Sequence, residues 1–329
     1  MKKVGLTYDL KTDYKPNPGD PPDISAEFDH PMVIDAIAKA VESCGFKVKK
    51  IGNARNVLEN LDNLDVDIVF NLSEGLTGRN RESQVPLLLE MAGIPYVGGD
   101  ALTLSLTLDK IMAKKVFIAE GIPTPKFFQI RSLNGKLDTG SLDFPLIVKA
   151  RYEGSSKGLT DDSRVEDASA LRQQAEHIIG TYKQPAIVEE FISGMELTVP
   201  IVGNSPAKAY SVVQVAIDGD INLNERFYTF AHINSDRLQY ICPAQIDKKL
   251  ERKIIDMAIK TYHAVDCRDF GRVDFRVDTR GNPYVLEINP LPCLALEDVF
   301  PLVAKQSGIT YEQIIGEIIE SALIRLDLN

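Results

Sequence analysis

Two short segments near the end of the 329-residue chain carry the side chains best suited to chemistry. One contains Arg272 and Asp274, the other contains Glu287 and Asn289, and a Gly-containing stretch at 279–282 separates them. Runs of β-branched and aromatic residues around such a stretch predict a β-hairpin. With residues 280 and 281 at the centre of the turn, Asp274 faces Glu287. Arg272 then faces Asn289, and all four side chains project from one face because strand side chains alternate.

The two facing carboxylates predict a bound cation. Their Cβ atoms would lie roughly 5 Å apart, where like charges repel. Mg²⁺ fits because a hard cation takes carboxylate and amide oxygens and completes its shell with water and phosphate oxygens. An Arg beside such a site indicates a phosphate or a developing oxyanion. The alternative is a solvated surface hairpin, and a three-residue turn would shift the strands by one position and break the pairing across them.

Length and composition narrow the class of protein. The chain is long enough for two or three domains with their own cores. Lys and Arg number 37 against 47 Asp and Glu, a net charge of −10, which makes nucleic acid and anionic membranes poor partners. Four dispersed cysteines, no secretory apolar segment and no apolar run of 18 residues indicate a reduced, cytoplasmic location.

The order of predicted elements indicates an α/β region followed by α+β regions. In the first hundred residues, strands at 3–8, 47–51, 67–71 and 95–97 alternate with helices at about 31–45 and 82–92. This alternation predicts a small parallel sheet. The second region has a helix at about 106–120, strands at 126–130, 145–150 and 186–191, and a helix near 166–178. The third has strands at 196–202 and 207–217, a helix at 248–264, the hairpin and a helix at about 310–325.

A Lys at the end of an apolar strand indicates a phosphate contact. Lys149 ends the strand at 145–150, and a Gly- and Ser-containing loop follows at 153–158. Such a loop can wrap backbone N–H groups around phosphate oxygens. The patterns of a P-loop and of a dinucleotide-binding turn are both absent. An ordinary turn is the alternative.

The segment 187–196 could hold a purine nucleotide. It places an apolar strand beside Glu189 and Glu190, with Phe191 and Ile192 as an apolar wall and Glu196 after a Gly turn. Strand-edge amides could grip the base while Glu196 accepts hydrogen bonds from ribose hydroxyls. Any exposed edge strand can have this composition, and that remains the alternative.

The order of these segments resembles the ATP-grasp ligases, and within them the D-alanine–D-alanine ligase branch, from about residue 70 to the C-terminus. The resemblance rests on Leu108-Asp109-Lys110, Ile147-Val148-Lys149 with the loop after it, residues 188–196, Arg272-Val273-Asp274 and Glu287-Ile288-Asn289. It implies an ATP-grasp fold with an N-terminal Rossmann-like parallel-sheet domain, divided here at 1–100, 101–192 and 193–329. It also implies that a carboxylate attacks the γ-phosphate of ATP and that an amine captures the acyl phosphate.

The resemblance also assigns roles to single residues. It implies phosphate contacts for Lys110 and Lys149, a closing loop with Glu153, Ser155 and Ser156, a purine edge at Glu189, Glu190, Phe191 and Ile192, and a ribose ligand at Glu196. It implies Mg²⁺, two ions with Mn²⁺ as a substitute, on Asp274, Glu287 and Asn289. Arg272 would stabilise the transition state. Glu27 would bind the amino group of the first substrate, and Ser155 would act with Glu27 in catalysis. Glu82 lies near the family's second acidic loop.

Four positions depart from the family pattern. Where D-alanine–D-alanine ligases have a Lys-Tyr pair, this chain has His232 and Ile233, so the family's Tyr is missing unless Tyr228 replaces it. A His here resembles D-alanine–D-lactate ligases and makes His232 a candidate contact of the acceptor, with an exposed loop His as the alternative. Cys293 replaces a Gly and Asp298 replaces a Ser that binds the acceptor's carboxylate.

The charge of Asp298 bears on the acceptor. Two like charges at about 4 Å cost roughly 4 kcal/mol at an effective dielectric constant of about 20. Asp298 points away, or it pairs with Lys305 or another cation, or the acceptor differs from D-alanine. The sequence therefore predicts an ATP- and Mg²⁺-dependent carboxylate–amine ligase for D-alanine or for another amino-acid, peptide or hydroxy-acid acceptor. A non-catalytic nucleotide-binding regulator and a purely structural protein are the alternatives, and relatives on this fold are usually homodimers.

Overall fold

Three β-sheets organise the protein in the computed structural model, which describes residues 2–133, 142–233 and 235–328. The strands are β1 (Lys3–Tyr8), β2 (Lys47–Gly52), β3 (Ile68–Leu72), β4 (Tyr96–Val97), β5 (Phe127–Ile130), β6 (Leu146–Ala150), β7 (Arg164–Val165), β8 (Ala186–Glu190), β9 (Gly194–Val202), β10 (Lys208–Ala209), β11 (Val213–Ile217), β12 (Leu238–Ile241), β13 (Phe270–Asp278) and β14 (Pro283–Asn289). The helices are α1 (Pro31–Ser43), α2 (Ala54–Glu59), α3 (Gln84–Ala92), α4 (Ala101–Leu108), α5 (Lys110–Ala119), α6 (Ala168–Tyr182), α7 (Phe230–Ile233), α8 (Lys248–Ala264), α9 (Val299–Gln306) and α10 (Tyr311–Arg325).

The first sheet is parallel throughout, in the order β2-β1-β3-β4. This arrangement confirms the parallel sheet predicted for the first hundred residues. α1 covers the sheet because its apolar residues recur at helical spacing and are buried, among them Val33, Ile37 and Val41. None of the helices among the described residues is long and apolar enough to cross a lipid bilayer.

The other two sheets flank the site. The second is antiparallel, ordered β5-β8-β6-β7, and α6 packs on it through Leu171, Ala175 and Ile178. The third runs β12-β11-β9-β13-β14, with β10 paired to β9. α8 covers the third sheet with Ile254, Ala258 and other buried residues.

Asp109 divides the single helix predicted at 106–120 into α4 and α5. Its backbone leaves the helical region, with φ −84° and ψ 90°, and its carboxylate caps α5 by accepting from Met112 N at 3.3 Å. The same buried carboxylate accepts hydrogen bonds from Arg151 at 2.6 and 2.7 Å and from Arg79 at 2.6 and 3.0 Å. Long-range partners therefore fix a helix boundary that the local pattern does not show. The break also places Lys110 at the first position of α5.

The C-terminal helices return to the first sheet. Residues Phe300 and Val303 of α9 and Ile315 and Ile319 of α10 are buried in one apolar cluster with α1, β1 and β3. The predicted domain division would count these helices with the third sheet. Their packing joins the two ends of the chain across one core.

Candidate active site

One cavity of about 1080 Å³ collects most of the candidate residues. The predicted residues in its wall are Glu27, Lys110, Lys149, Glu153, Ser155, Ser156, Glu189, Glu190, Phe191, Ile192, Glu196, Arg272, Asp274, Glu287 and Asn289. They come from the N-terminal loops, the start of α5, the second sheet with its adjoining loops, and the third sheet. Residues far apart in the chain therefore line one cavity.

The four hairpin residues pair as predicted, but the turn that joins the strands is not the predicted one. Asp274 faces Glu287 and Arg272 faces Asn289. The turn is not centred on residues 280 and 281, because Val277 pairs with Pro283 and the register is shifted by one. An irregularity after Asp274 restores the predicted pairing. The three-residue turn that would have separated the acids is compensated by one extra residue in β14.

Each acid of the hairpin is held by a cation. Arg272 donates to both carboxylate oxygens of Asp274, from Nε and from Nη2, each at 2.9 Å. Asn289 Nδ2 donates to Asp274 Oδ2 at 2.8 Å. Lys110 Nζ donates to Glu287 Oε2 at 2.8 Å. Burial opposes ionisation of Glu287, but the charge of Lys110 outweighs it and holds the pKa of Glu287 below its ordinary value.

These residues fit a hard divalent cation. Asp274 and Glu287 offer carboxylate oxygens, and Asn289 offers an amide oxygen while its nitrogen is engaged with Asp274. Magnesium prefers this donor chemistry in proteins. The ammonium of Lys110 and the guanidinium of Arg272 balance the acids within the chain.

A buried carboxylate on β8 lies between two lysines, one on β6 and one on α5. Lys149 Nζ donates to Glu189 Oε2 at 2.7 Å, and Lys114 Nζ lies 2.9 Å from Glu189 Oε1. Burial would raise the pKa of Glu189, but the two ammonium groups together lower it to about 2. Glu189 therefore fixes the position of Lys149 through its side chain.

The loop after Lys149 has an uncommon backbone. Ser155 and Ser156 adopt φ values of 46° and 53°, in the left-handed region. Non-Gly residues rarely occupy this region, and such strain concentrates at ligand-binding segments. Glu153 forms an ion pair with Lys157, and its Oε1 accepts from Gln184 Nε2 at 2.7 Å. The loop is thus held at its base while the two serines face the cavity.

Glu27 is bonded to that loop and to Arg81. Arg81 Nη2 donates to both oxygens of Glu27 at 2.7 and 2.9 Å, Gly154 N donates at 2.7 Å and Lys157 Nζ at 2.6 Å. Burial raises the pKa of Glu27, but Arg81 and Lys157 outweigh that effect and lower it. The amino group of a ligand that binds Glu27 would therefore donate to a carboxylate that already accepts from Arg81 and Lys157.

Two further glutamates stand beside Glu27. One carboxylate oxygen from each of Glu27, Glu74 and Glu82 lies within 4.8 Å of the others. Burial, followed by the charge of Glu82, raises the pKa of Glu74 well above its ordinary value. Burial also raises the pKa of Glu82, to about 8, against the opposing charge of Arg81. Glu74 was not predicted from the sequence, since a single acid after a strand carries no distinguishing pattern.

The segment predicted to hold a purine is arranged around Arg276. Arg276 donates from Nε to Ile192 O at 3.0 Å and from Nη1 to Glu196 Oε2 at 3.2 Å, and its guanidinium lies 5.5 Å from the centre of the Phe191 ring. The N–H groups of Glu190 and Phe191 donate to Lys126 O and Pro145 O. Of the described residues, none accepts from Ile192 N, which leaves that donor to a ligand. Arg276 was missed because an Arg two residues after Asp274 looks like a solvated strand position.

The loop that departs from the family pattern contains α7, and only some of its predicted residues line the cavity. Tyr228 and Ile233 line the cavity. His232 lies outside the residues that line it, and its Nδ1 is 2.8 Å from Thr229 Oγ1 within the same helical turn. The sequence-based role of His232 toward the acceptor remains a prediction.

Asp298 faces the same cavity and is the N-cap of α9. Its Oδ1 accepts from Val299 N at 2.6 Å and lies 4.0 Å from Arg272 Nη1. Within the described part of the chain it forms no ion pair with Lys305, which lies seven residues along α9, about 10 Å from the cap. Of the pairings predicted for Asp298, the structure therefore provides Arg272 and not Lys305.

Comparison with known proteins identifies the family. The model of the D-ala D-ala ligase C-terminus matches residues 116–320. The chain is 34% identical over 295 residues to a D-alanine–D-alanine ligase of Carboxydothermus hydrogenoformans, covering 87% of this chain and 90% of that protein. The chain belongs to the D-alanine–D-alanine ligase family. It is an ATP-dependent, ADP-forming carboxylate–amine ligase, and the family uses a divalent metal.

Further relatives mark the range of the family. The chain is 33% identical over 298 residues to the uncharacterized protein y4sG of Sinorhizobium fredii, covering 88% of this chain and 87% of that protein. The fold is similar to that of the D-alanine–D-alanine ligase from Bacillus anthracis complexed with ATP, with a TM-score of 0.76, 21% identity and full coverage of both chains. It is also similar to that of the VanG D-Ala:D-Ser ligase from Enterococcus faecalis, with a TM-score of 0.75, 23% identity and coverage of 98% and 99%. These likenesses confirm the predicted ATP-grasp fold.

Proposed function

We propose that this ligase phosphorylates the carboxylate of an amino acid, D-alanine first among the candidates, and joins it to an amine. One observation carries the proposal: Lys110, Lys149 and the hairpin residues Arg272, Asp274 and Glu287 converge on one cavity. D-alanine is the first candidate because relatives 30–34% identical carry it in their names.

The nucleotide would occupy the end of the cavity near the second sheet. Lys110 and Lys149 would contact its phosphates, and Ser155 and Ser156 would close over them with backbone N–H groups. The free N–H of Ile192 would donate to the purine, beside Glu189, Glu190 and Phe191. Glu196, held by Arg276, would accept from the ribose hydroxyls.

Asp274, Glu287 and Asn289 would hold Mg²⁺, two ions in the full complex, with Mn²⁺ as a substitute. A bound divalent cation supplies neutralisation of phosphate charge. The chain's own residues supply position, because phosphoryl transfer asks chiefly for alignment and fixed positive charge. Arg272 would stabilise the negative charge that develops on the carbonyl oxygen when the amine attacks.

The donor's amino group would lie at the acidic end formed by Glu27, Glu74 and Glu82. Arg81 and Lys157 already neutralise much of the charge of Glu27, whereas Glu74 and Glu82 pair with no described residue. An ammonium group would relieve their mutual repulsion. Ser155 would take part from the loop, and His232 would have to leave Thr229 to reach an acceptor.

Trapping of the acyl phosphate tests the proposal without knowledge of the acceptor. The protein is incubated with ATP, Mg²⁺, hydroxylamine and single D- or L-amino acids, and both hydroxamate and ADP are measured. We expect hydroxamate with D-alanine and none without ATP. Failure of every amino acid to give hydroxamate or ADP would reject the function and favour a nucleotide-binding regulator.

A ligase for an acceptor other than D-alanine is the second candidate. Asp298 favours it, because a carboxylate faces the cavity beside Arg272. A cytoplasmic homodimer belongs to the same proposal, and light scattering on the purified protein tests the dimer.

A further inference from the structure

The two departures from the family pattern after Asn289 belong to the same wall of the cavity. Cys293 Sγ accepts from Ala295 N at 3.5 Å, and Asp298 Oδ1 accepts from Val299 N at 2.6 Å. Both residues line the cavity, and the side chain of Asp298 is 18% exposed. Burial raises the pKa of Asp298, and Arg272 opposes that effect. Asp298 therefore presents a carboxylate to the cavity.

Capping of α9 does not account for this feature. A capping Asp usually accepts from the second or third N–H of its helix. Asp298 accepts instead from Val299, the first residue of α9. The carboxylate also faces Arg272 Nη1 across 4.0 Å. The Asp298 carboxylate thus faces Arg272 while it accepts one hydrogen bond from the first residue of α9.

Arg272 separates two sides of the cavity. On one side it holds Asp274, on the hairpin face that also carries Glu287 with Lys110. On the other side it faces Asp298, near Tyr228 and Tyr240. The lysine side suits phosphate, and the attacking amine must approach the carbonyl carbon from the side that phosphate does not fill. Asp298 therefore belongs to the acceptor's side.

Arg272 already faces more carboxylates than one guanidinium can neutralise. The single positive charge of Arg272 lies between two carboxylates, Asp274 and Asp298. An acceptor carboxylate would be a third anion on one guanidinium. Lys305 also lines the cavity, but among the described residues it forms no ion pair with Asp298. Unscreened repulsion at about 4 Å corresponds to on the order of a thousandfold in affinity, and the partial pairing with Arg272 reduces that factor.

We infer that Asp298 selects an amine acceptor that has no free carboxylate beside its amine, such as an amino-acid amide. The inference rests on the proposed function. The amine nitrogen attacks the carbonyl carbon of the acyl phosphate, a C–N bond forms, the C–O bond to phosphate breaks, and phosphate and a proton leave. The N–H groups of the amide donate to Asp298, where a carboxylate would be repelled.

A matched pair of acceptors tests the inference on the whole protein. The donor is the amino acid that gives the most hydroxamate, and D-alanine and D-alaninamide are compared as acceptors. ADP release and the mass of the product are measured. We expect kcat/KM at least tenfold higher for the amide. Preference for D-alanine, or no use of the amide while hydroxamate forms, overturns the inference and leaves the proposed function standing.

Substitution at Asp298 provides the second arm. Asp298→Ser should raise kcat/KM for D-alanine relative to the amide by at least tenfold. Asp298→Asn keeps an oxygen that can cap α9, so it tests the same change in preference if the Ser variant does not fold. Asp256→Ser, at an exposed position of α8, should change neither value. An equal change for both acceptors in the Asp298 variants would overturn the inference. Absence of hydroxamate with every donor would instead reject the proposed function.

Discussion

Lys114 and Lys149 contact opposite oxygens of the same buried carboxylate, that of Glu189, at 2.9 and 2.7 Å. Lys114 is 1% exposed and also donates to Thr124 Oγ1 at 2.7 Å. Thr124 in turn donates to the backbone of β14 at Val285 O. Lys114 therefore links β8, which carries Glu189, to the hairpin strand β14, which carries Glu287.

Replacement of Lys114 should weaken both the fold and the nucleotide site. Lys114→Met leaves Glu189 buried with one cation, which should lower the free energy of unfolding by roughly 2–4 kcal/mol. The KM for ATP should rise because Lys149 loses its fixed partner. Urea unfolding and ADP release measure the two effects.

The exposed neighbour Lys115 supplies the matched control. Lys115→Met should leave stability within about 0.5 kcal/mol of the unsubstituted protein. A Lys114 variant with unchanged stability and unchanged KM would contradict the role of this buried triad.

Glu82 makes the stability depend on pH. Its pKa in the folded protein is about 8, above the ordinary value of 4.5, because of burial. The folded state therefore holds more protons than the unfolded state between these values, and stability falls as pH rises through that window. Glu82→Gln should be more stable than the unsubstituted protein at pH 9 by about 1 kcal/mol or more and equal to it below pH 4.5.

Thermal or urea unfolding at both pH values measures this difference. Glu42→Gln, at an exposed position of α1, should show no such pH dependence. An Arg81-stabilised anion at position 82 would instead make the Gln variant less stable at pH 9.

Arg276 should support nucleotide binding more than chemistry. Its four donor contacts, to Ile192 O, Glu196 Oε2, Arg226 O and Asn224 O, need a planar fork of N–H groups. Arg276→Lys should therefore raise the Kd for ATP about tenfold while kcat at saturating ATP changes little. Isothermal titration with ATP and steady-state ADP release separate the two. Equal losses in kcat and Kd would indicate a role in the reaction itself.

Asp274 should be needed for metal-dependent turnover and not for the fold. Asp274→Asn removes one hard anionic ligand, which should lower kcat about 100-fold or more. Circular dichroism should remain unchanged because the hairpin pairs through its backbone. Full activity across a Mg²⁺ titration would remove the metal assignment, and Glu320→Gln, exposed on α10, is the charge-matched control.

The sequence predicts the sheets well because their signals are local. Alternating strands and helices in the first hundred residues require a parallel sheet, and that sheet is present. The boundary at Asp109 was missed because it depends on Arg79 and Arg151, which are distant in sequence. The hairpin pairing was predicted from the wrong turn and holds because an irregularity in β14 offsets it.

Some residues of the site were likewise predictable from the sequence, and others were not. Asp274, Glu287 and Asn289 were predictable because strand alternation places them on one face. Lys114 and Arg276 were not, since each acts through contacts made across strands and helices. Asp298 was recognised as a departure in the sequence, but only the three-dimensional structure places it opposite Arg272.

The return of α9 and α10 to the first sheet sets an order of events during synthesis. A ribosome releases the chain from its N-terminus, and domains generally fold as they emerge. The core around α1, β1 and β3 needs Phe300, Ile315 and Ile319, which are made after the strands of all three sheets. The first hundred residues must therefore wait, with part of their apolar surface uncovered, until α9 and α10 have left the ribosome.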